Sequence, residues 1–356
     1  MLYRESFFIT GFPGFIAGRL LERLAGPQRQ FFILVQPPLI EPAMEEIEAI
    51  AEATATDLDS YVIVEGDITL PQLGIPAADL ETIQFETTDV FHLAAAYDLA
   101  IAKDAAFNAN LQGTKNVNDL VCSIKNLHRY NYVSTCYVAG KRHGRILETE
   151  LEHKAGFRNY YEETKYLAEI EVEKLKSHLP VTIYRPSVVV GDSETGEIIK
   201  YDGIYYLINY LLKAPSLLRI FNVGNDNVRL NLVPVDFVAD GITALARDND
   251  AVGQTVALAD PAPLTTAELF EVLAKDMTGR RSEFRPPPRL TEWFLNTGIS
   301  PRITGLPHSA VPYFFIEQTY DTAVADRLLK PHNIVCPRFP DYVGNLLDFV
   351  EENPEL

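Results

Sequence analysis

The stretch FFITGFPGFIAGRLLERL, residues 7–24, decides the fold class of this chain. Its first four residues are typical of a β-strand, and they lead through Gly11, Gly14 and Ala17 into a helical pattern of apolar residues. In a strand–turn–helix unit the first glycine allows the tight turn and the second lets a pyrophosphate approach the backbone. A small third residue lets the helix pack on the strand, and the helix N-terminus offers N–H groups to the phosphates. The stretch predicts a dinucleotide site; a turn of purely structural role is the alternative.

Runs of strand-forming residues alternate with amphipathic helical runs over the first half of the chain. The predicted strands are Ser6–Thr10, Phe31–Val35, Val62–Glu65, Val90–Leu93, Tyr130–Ser134 and Val181–Tyr184. The predicted helices are Gly18–Leu24, Ala43–Thr54, Leu111–Asn126 and Tyr161–His178. This alternation predicts an α/β fold of the Rossmann type, a doubly wound parallel sheet with helices on both faces.

The second half of the chain is organised differently. Beyond Gly191, proline, glycine and aromatic residues interrupt the alternation, which returns in a strand-then-helix unit at Asn231–Ala246. We predict a dinucleotide-binding domain of residues 1–190 and about 228–258. A smaller substrate-binding region, interleaved with it, takes about 191–227 and 259–356.

Composition and charge argue against several classes of protein. A net charge of −18 disfavours a surface that binds nucleic acid. The first residues lack the pattern of a signal peptide, and no run approaches the ~18 apolar residues of a membrane-spanning helix. Three separated cysteines are typical of reduced thiols, and the histidines show no metal-ligand spacing. We expect a cytoplasmic protein without a metal site, and the sequence leaves a homo-oligomer open.

The segment NYYEETKYLAEIEVEKL, residues 159–175, places a tyrosine and a lysine at helical spacing. Tyr161 and Lys165 are four residues apart, so their side chains share one face of a helix. A phenol titrates near ~10, and an adjacent ammonium lowers that pKa because it favours the phenolate. Tyr160 is the poorer candidate for proton transfer because Thr164 is its neighbour one turn on. An exposed helix face is the structural alternative.

A threonine stands upstream of this helix, in YNYVSTCYVAG at residues 130–140. Thr135 follows the fifth predicted strand, and open α/β sheets bind ligands at the carboxyl ends of their strands. A hydroxyl there can donate to a carbonyl oxygen as negative charge develops on it. An ordinary β-branched residue at a strand end is the alternative.

Together these motifs resemble the extended short-chain dehydrogenase/reductase family, and within it the fatty acyl-coenzyme A reductase and thioester reductase branch, the male-sterility type. The resemblance covers most of the chain. It rests on TGFPGFIA at 10–17, EGDIT at 65–69, HLAAAYD at 92–98, NLQGTKNV at 110–117, STCYVAG at 134–140, YEETK at 161–165, RPSVVVGDSETG at 185–196 and VPVDFVAD at 233–240.

The resemblance implies roles for individual residues. Tyr161 would donate a proton to a carbonyl oxygen that Thr135 orients, while Lys165 would bond the nicotinamide ribose and lower the pKa of Tyr161. Besides Tyr161 and Lys165, the implied cofactor contacts are Thr10, Gly11, Phe12, Pro13, Gly14, Phe15, Ile16, Gln36, Asp67, Ile68, Leu93, Ala94, Ala95, Asn110, Pro186, Ser187 and Val188. Asp67 would accept from the adenine amino group, with Ile68 against the ring, and a turn-forming aspartate is the alternative. Asn110 would hold water or cap a helix kink.

The second predicted strand bears on the choice of cofactor. Rossmann folds that bind NAD usually carry an acid after this strand, and those that bind NADP carry a nearby arginine. Gln36 occupies the position here, so no acid would repel a 2′-phosphate. Arg19, in the first helix, could supply the cation, unless it is an ordinary solvated residue. NADP(H) is therefore favoured over NAD(H).

The substrate is expected to be a small molecule with an apolar group. Lys200–Phe221 is dense in tyrosine, leucine and isoleucine, and Arg289–Phe315 adds the only tryptophan, Trp293. These stretches would wall a pocket, form a lid or contact a membrane surface, or they would serve core packing. We expect hydride transfer to or from a carbonyl, most simply reduction of an acyl thioester or an apolar aldehyde or ketone. The alternatives are a hydroxysteroid-like alcohol dehydrogenase, a nucleotide-sugar epimerase or dehydratase, and a non-catalytic dinucleotide sensor.

Overall fold

A computed structural model gives the architecture of the chain. It describes residues 3–201, 203–205, 208, 222, 224–282, 284–287, 289–290, 293, 297 and 311–354. In this part of the chain, no helix is long and apolar enough to cross a membrane.

A parallel sheet of seven strands organises the molecule. Its strands are β1 (Glu5–Thr10), β2 (Arg29–Val35), β3 (Tyr61–Glu65), β4 (Asp89–His92), β5 (Arg129–Val133), β7 (Val181–Pro186) and β10 (Thr255–Leu258). They lie in the order β10-β7-β5-β4-β1-β2-β3, and every described pairing between them is parallel. The chain therefore reverses its winding direction between β1 and β4, the place where such sheets bind dinucleotides. The predicted doubly wound Rossmann-type sheet is confirmed.

Helices cover both faces of this sheet. They are α1 (Phe15–Leu24), α2 (Ile40–Thr54), α3 (Ala77–Glu86), α4 (Lys103–Ala106), α5 (Gly113–Ser123), α6 (Tyr160–Glu173), α7 (Val235–Leu245), α8 (Thr266–Thr278), α9 (Ala323–Leu329) and α10 (Phe339–Glu352). Alternate strand residues face opposite layers, as the pleat requires. Ile9 packs in the core with α1, α2, α7 and α9, whereas Phe8 packs in the core with α5 and α6.

Two small parallel sheets lie outside the main one. Strand β8 (Val188–Val190) pairs with β9 (Leu232–Pro234), and β6 (Gly144–Ile146) pairs with β11 (Gln318–Tyr320). The predicted strand-then-helix unit at Asn231–Ala246 is therefore present as β9 and α7, but its strand belongs to a small sheet.

Buried polar contacts fasten the later part of the chain to the main sheet. Glu148 is 2% exposed, and its carboxylate accepts the N–H groups of Ala257 in β10 and of Val324 and Ala325 at the start of α9. Leu328 of α9 also belongs to the core beneath the sheet. The proposed division of the chain into two regions stays a prediction.

Candidate active site

The glycine loop between β1 and α1 brings its backbone close to the end of β4. Gly11 has φ +93°, and a Cβ there would lie 2.7 Å from the Ala94 nitrogen. A Cβ on Gly14 would lie 2.5 Å from the Gly11 carbonyl oxygen. Both positions therefore require glycine. Gly14 also precedes the first turn of α1 without a side-chain cap, so N–H groups of that turn remain for a ligand. This bare backbone at the switch point fits the pyrophosphate of a dinucleotide.

The carboxyl end of β4 lies beside this loop. Ala94 follows β4, and its N–H donates to the Thr10 hydroxyl over 3.2 Å. Leu93, Ala94 and Ala95 are each partly exposed. The structure thus brings these three implied cofactor contacts next to the glycine loop, because β1 and β4 are the two strands that flank the switch point.

The Tyr161 phenol is buried at the start of α6. The Asn159 side chain caps this helix by accepting the Glu162 N–H over 2.9 Å. Tyr161 is 6% exposed, and its ring meets the Tyr97 ring edge-to-face with centroids 5.2 Å apart. Burial raises the pKa of Tyr161, and a hydrogen bond with Thr135 opposes that rise. The phenol therefore stays protonated near neutral pH, as a proton donor must.

Thr135 stands where the sequence predicts it, two residues beyond the end of β5. It is 6% exposed and begins a 3-10 turn, in which its hydroxyl oxygen accepts the Tyr137 N–H over 3.2 Å. The structure thus joins Thr135 and Tyr161, which are far apart in sequence, at the carboxyl edge of the sheet.

Lys165 is buried one turn after Tyr161, but its ammonium has partners that the sequence did not predict. Its Nζ donates to the Tyr132 hydroxyl over 3.1 Å and to the Val133 carbonyl over 2.9 Å. Burial lowers the pKa of Lys165 to about 8, and Glu169 acts in the opposite direction. Thr135 opposes the rise that burial causes in the pKa of Tyr161, and the expected lowering of that pKa by Lys165 stays a prediction.

Helix α6 is held against the sheet by a buried ion pair. The Arg185 guanidinium at the end of β7 donates to the Glu169 carboxylate over 2.9 Å and 2.5 Å, and the Ser134 hydroxyl donates to the same group. Arg185 is 3% exposed and Glu169 is fully buried. This pair fixes the helix that carries Tyr161 and Lys165.

Asn110 joins the α5 side of the site to α6. It lies in a π-helical turn, Phe107–Gln112, and its side chain accepts the Ala96 N–H over 2.7 Å and donates to the Thr164 hydroxyl over 3.0 Å. This geometry agrees with the expectation that Asn110 caps a kink in the helix. Its contact with a cofactor stays a prediction.

The far end of the crevice carries Gln36 and Asp67, which follow β2 and β3. The Gln36 amide donates to the Asp67 carboxylate over 2.9 Å, while the other oxygen of Asp67 accepts the Thr69 N–H over 2.8 Å. Asp67 therefore does form a turn, as the alternative proposed. The Ile68 side chain is 8% exposed and packs against Gly113 of α5.

Arg19 has partners other than a phosphate. Its guanidinium donates to Glu197 and lies 3.5 Å from Glu22, and the neighbouring carboxylates raise its pKa against the effect of burial. One of the two arguments for NADP(H) therefore loses its support.

The turn after β7 leads from the main sheet into β8. Pro186 ends β7, the Ser187 hydroxyl donates to Asn231 over 2.7 Å, and Val188 begins β8. This turn lies at the same carboxyl edge as Thr135, and its contact with the nicotinamide stays a prediction.

Two tyrosines contact each other near the first turn of α6, and one of them, Tyr313, belongs to the expected pocket stretch Arg289–Phe315. Tyr313 comes from the C-terminal part of the chain, its ring lies 4.6 Å from the Tyr137 ring, and its hydroxyl donates to the buried Glu162 carboxylate. Tyr137 follows Thr135 by two residues. The sequence places Tyr137 beside Thr135 and Tyr313 in an expected pocket stretch, but the contact between the two rings depends on tertiary folding.

Of the expected pocket stretches, Lys200–Phe221 and Arg289–Phe315 lie mostly outside the described residues. Ile204, Tyr205 and Ile208 are described, and all three are buried in a core with residues of α8 and α10. For these residues the structure favours packing.

Comparison with known proteins agrees with this geometry. The family model described as male sterility protein, an NAD-binding family, matches residues 9–242. The chain belongs to this family. The match includes the glycine loop, Thr135 and the Tyr161–Lys165 pair, and it establishes a nicotinamide dinucleotide as the cofactor class.

Curated relatives of this chain include proteins named as reductases. Fatty acyl-CoA reductase wat of Drosophila melanogaster is 28% identical over 289 residues, which cover 70% of this chain and 55% of that protein. Fatty acyl-CoA reductase 1 of Mus musculus is 25% identical over 282 residues, covering 68% of this chain and 54% of the relative. The chain thus spans about half the length of these curated relatives.

Solved structures share the fold. The terminal R domain from the myxalamid biosynthetic pathway has a TM-score of 0.81 at 22% identity, covering 99% of this chain and 92% of that one. UDP-glucuronic acid 4-epimerase from Bacillus cereus, in complex with NAD, has a TM-score of 0.66 at 18% identity, covering 98% and 97%. At these identities the likeness shows the architecture alone.

Proposed function

We propose that this protein reduces a carbonyl group with a nicotinamide dinucleotide, and that its substrate is an acyl thioester or an apolar aldehyde or ketone. The observation that carries the proposal is the Tyr161 phenol, buried beside the equally buried Thr135 at the carboxyl edge of the sheet. A sensor of dinucleotides would have no use for a buried proton donor next to a second hydroxyl. The names of the fatty acyl-CoA reductase relatives support the substrate class.

The bound nicotinamide would supply a hydride to the carbonyl carbon. The protein's own groups act on the oxygen: the Thr135 hydroxyl orients it, and the Tyr161 phenol donates a hydrogen bond and then its proton. Lys165 would hold the ribose with the N–H that Tyr132 and Val133 leave unused. With a thioester, the C–S bond then breaks and releases a thiol and an aldehyde.

NADP(H) remains the favoured cofactor in this proposal because Gln36 places no acid after β2. Arg19 plays no part in this preference, since its guanidinium is already paired with Glu197. Direct titration of the protein with NADPH and with NADH decides between them, and tighter binding of NADH would reverse the preference.

A cytoplasmic location is likewise a proposal. Cys122, Cys136 and Cys336 are all unpaired thiols, which suits a reducing compartment.

The test is a screen of NADPH and NADH oxidation against acyl thioesters of increasing length, the matching aldehydes, ketones and UDP-sugars. Affinity for the substrate should rise with acyl chain length until the pocket is full, by up to roughly fourfold for each buried methylene. Tyr161→Phe is the blank for unspecific oxidation of the dinucleotide.

UDP-sugars should neither be turned over nor raise the melting temperature. Stabilisation by a UDP-sugar, together with no hydride transfer to any acyl compound, would overturn the substrate class in favour of the epimerase alternative.

A further inference from the structure

A file of buried polar side chains runs through the molecule from the glycine loop to Lys165. Each member comes from a different element: Thr10 from β1, His92 from β4, Thr114 from α5, Tyr132 from β5 and Lys165 from α6. None of the five is more than 3% exposed.

His92 bridges the two threonines of the file. The Thr10 hydroxyl oxygen accepts the Ala94 N–H over 3.2 Å and lies 2.7 Å from His92 Nδ1. His92 Nε2 lies 3.1 Å from the Thr114 hydroxyl, within hydrogen-bond distance. Burial lowers the pKa of His92 to about 3, in agreement with a neutral ring.

The same file reaches the ammonium at its other end. The His92 ring lies against the Tyr132 ring, with centroids 5.5 Å apart, and Lys165 donates to the Tyr132 hydroxyl over 3.1 Å. The ammonium also lies 4.6 Å from the centre of the Tyr132 ring, within the range of a cation–π contact. Tyr132 therefore contacts Lys165 through both its hydroxyl and its ring.

A proton relay is not the purpose of this arrangement. The file ends at the Ala94 amide, which does not release its proton near neutral pH, so protons cannot leave by that route. The arrangement fixes geometry instead, because two of the three N–H groups of Lys165 are bound to β5 and one is left for a ligand.

We propose that Tyr132 and His92 are positioning residues for Lys165, and that they link the ammonium to the glycine loop through Thr114 and Thr10. The inference rests on the proposed contact of Lys165 with the cofactor ribose. Its consequence is that dinucleotide affinity depends on a tyrosine and a histidine that lie in the sheet.

Within the described residues, few titratable groups lie near Lys165. Glu169 and Tyr161 lie on its own helix, Tyr132 on β5 and His92 on β4. Tyr132 and Glu169 favour the ammonium form, so loss of the Tyr132 oxygen should lower the pKa of Lys165.

The experiment compares Tyr132→Phe with Tyr130→Phe. Tyr130 is two residues earlier on β5, also fully buried, and donates to Asn118 over 2.8 Å. The pKa of Lys165 is measured without cofactor by NMR of protein labelled at lysine Cε, with the signal assigned by its loss in Lys165→Met. Affinities for NADPH and NADH are measured by calorimetry across pH.

Tyr132→Phe should lower the pKa of Lys165 by about half a unit or more and weaken dinucleotide binding about tenfold at pH 8. Tyr130→Phe should change neither quantity, although it also removes a buried hydrogen bond. Equal values in Tyr132→Phe and the parent protein would overturn the proposal.

A second pair of variants covers the case in which Tyr132→Phe does not fold. Thr114→Val keeps the shape but breaks the file, and it should weaken dinucleotide binding, whereas Thr114→Ser should restore it. Identical affinities in the two variants would refute the link to the glycine loop. No substrate is used in these measurements, so they test this proposal even if the proposed acyl substrate is wrong.

Discussion

The Tyr313 hydroxyl donates to the Glu162 carboxylate over 2.7 Å, and so ties the C-terminal part of the chain to the first turn of α6. Glu162 is fully buried and directly follows Tyr161. The Asn159 amide also donates to the Tyr313 hydroxyl, over 2.8 Å. The residue next to the proton donor is therefore held by a side chain about 150 residues away in sequence.

Tyr313→Phe should lower the free energy of unfolding by about 2 kcal/mol, because it removes a hydrogen bond to a buried charged group. Tyr320→Phe is the matched control, since Tyr320 donates only weakly, over 3.4 Å, to a neutral amide oxygen. Urea denaturation measures both variants. Equal losses would mean that the charged partner contributes nothing.

Tyr161→Phe should lower kcat by a factor on the order of 10² to 10⁴, because only the proton donor is lost. Cofactor affinity should remain near that of the parent protein. Tyr160→Phe is the control, since the neighbouring Tyr160 is 41% exposed. Steady-state kinetics with calorimetry make the test, and near-normal turnover in Tyr161→Phe would remove this residue from the mechanism.

Gly14→Ala should already weaken dinucleotide binding by about tenfold or more, because the added Cβ would meet the Gly11 carbonyl at 2.5 Å and the loop must shift. Gly14→Val should cost most of the affinity. Gly344→Ala in α10 is the control, since a Cβ there has no neighbour within 4 Å. Calorimetry with NADPH on folded variants is the measurement, and unchanged binding would reduce the loop to a simple turn.

Arg19→Gln should leave NADPH affinity within about twofold of the parent value, because the guanidinium already pairs with Glu197 and Glu22. Arg23→Gln, one turn on in α1, removes a similar pair with Asp240. A selective loss of NADPH affinity in Arg19→Gln, with NADH affinity intact, would show that Arg19 leaves its carboxylates for a 2′-phosphate.

His92 should make the fold less stable in acid. Its pKa is about 3 in the folded chain against 6.5 for the free side chain, so the unfolded chain binds more protons between these values. This contribution to stability is complete above pH 6.5 and falls as the pH drops, by about 2 kcal/mol at pH 5.

Denaturation curves at pH 7 and pH 5 test this effect. Between pH 7 and pH 5, the free energy of unfolding of His92→Gln should fall by about 2 kcal/mol less than that of the parent protein. His143→Gln, which replaces an exposed histidine, is the control. An identical pH dependence in His92→Gln and the parent would contradict a neutral His92.

Local patterns predicted much of this molecule. The apolar runs around Ile9 and Ile33 identified two strands of the sheet, and the spacing of Gly11 and Gly14 identified the loop between β1 and α1. Thr135 could be placed because it follows a strand that ends at the active edge of any parallel sheet.

The features that the sequence did not predict depend on tertiary register or on weak local signals. Tyr132 meets Lys165 only because β5 and α6 pack in one particular register, and Tyr313 arrives from a distant segment. Strand β10 was not predicted, and it lies beyond the half of the chain in which strands and helices alternate regularly. Helix α8 carried a usable signal, since Thr265 and Glu268 form a capping box at its start.

Glu148 makes the seven-stranded sheet dependent on the C-terminal part of the chain. A fragment cut after β10 would keep only the Ala257 partner of this carboxylate and would strip the apolar cover that α9 gives to the sheet. The cofactor-binding part should therefore not be obtainable as an autonomous fragment. A chimera that exchanges substrate specificity between relatives should therefore keep α9 and replace other C-terminal segments, rather than replace the whole C-terminal third.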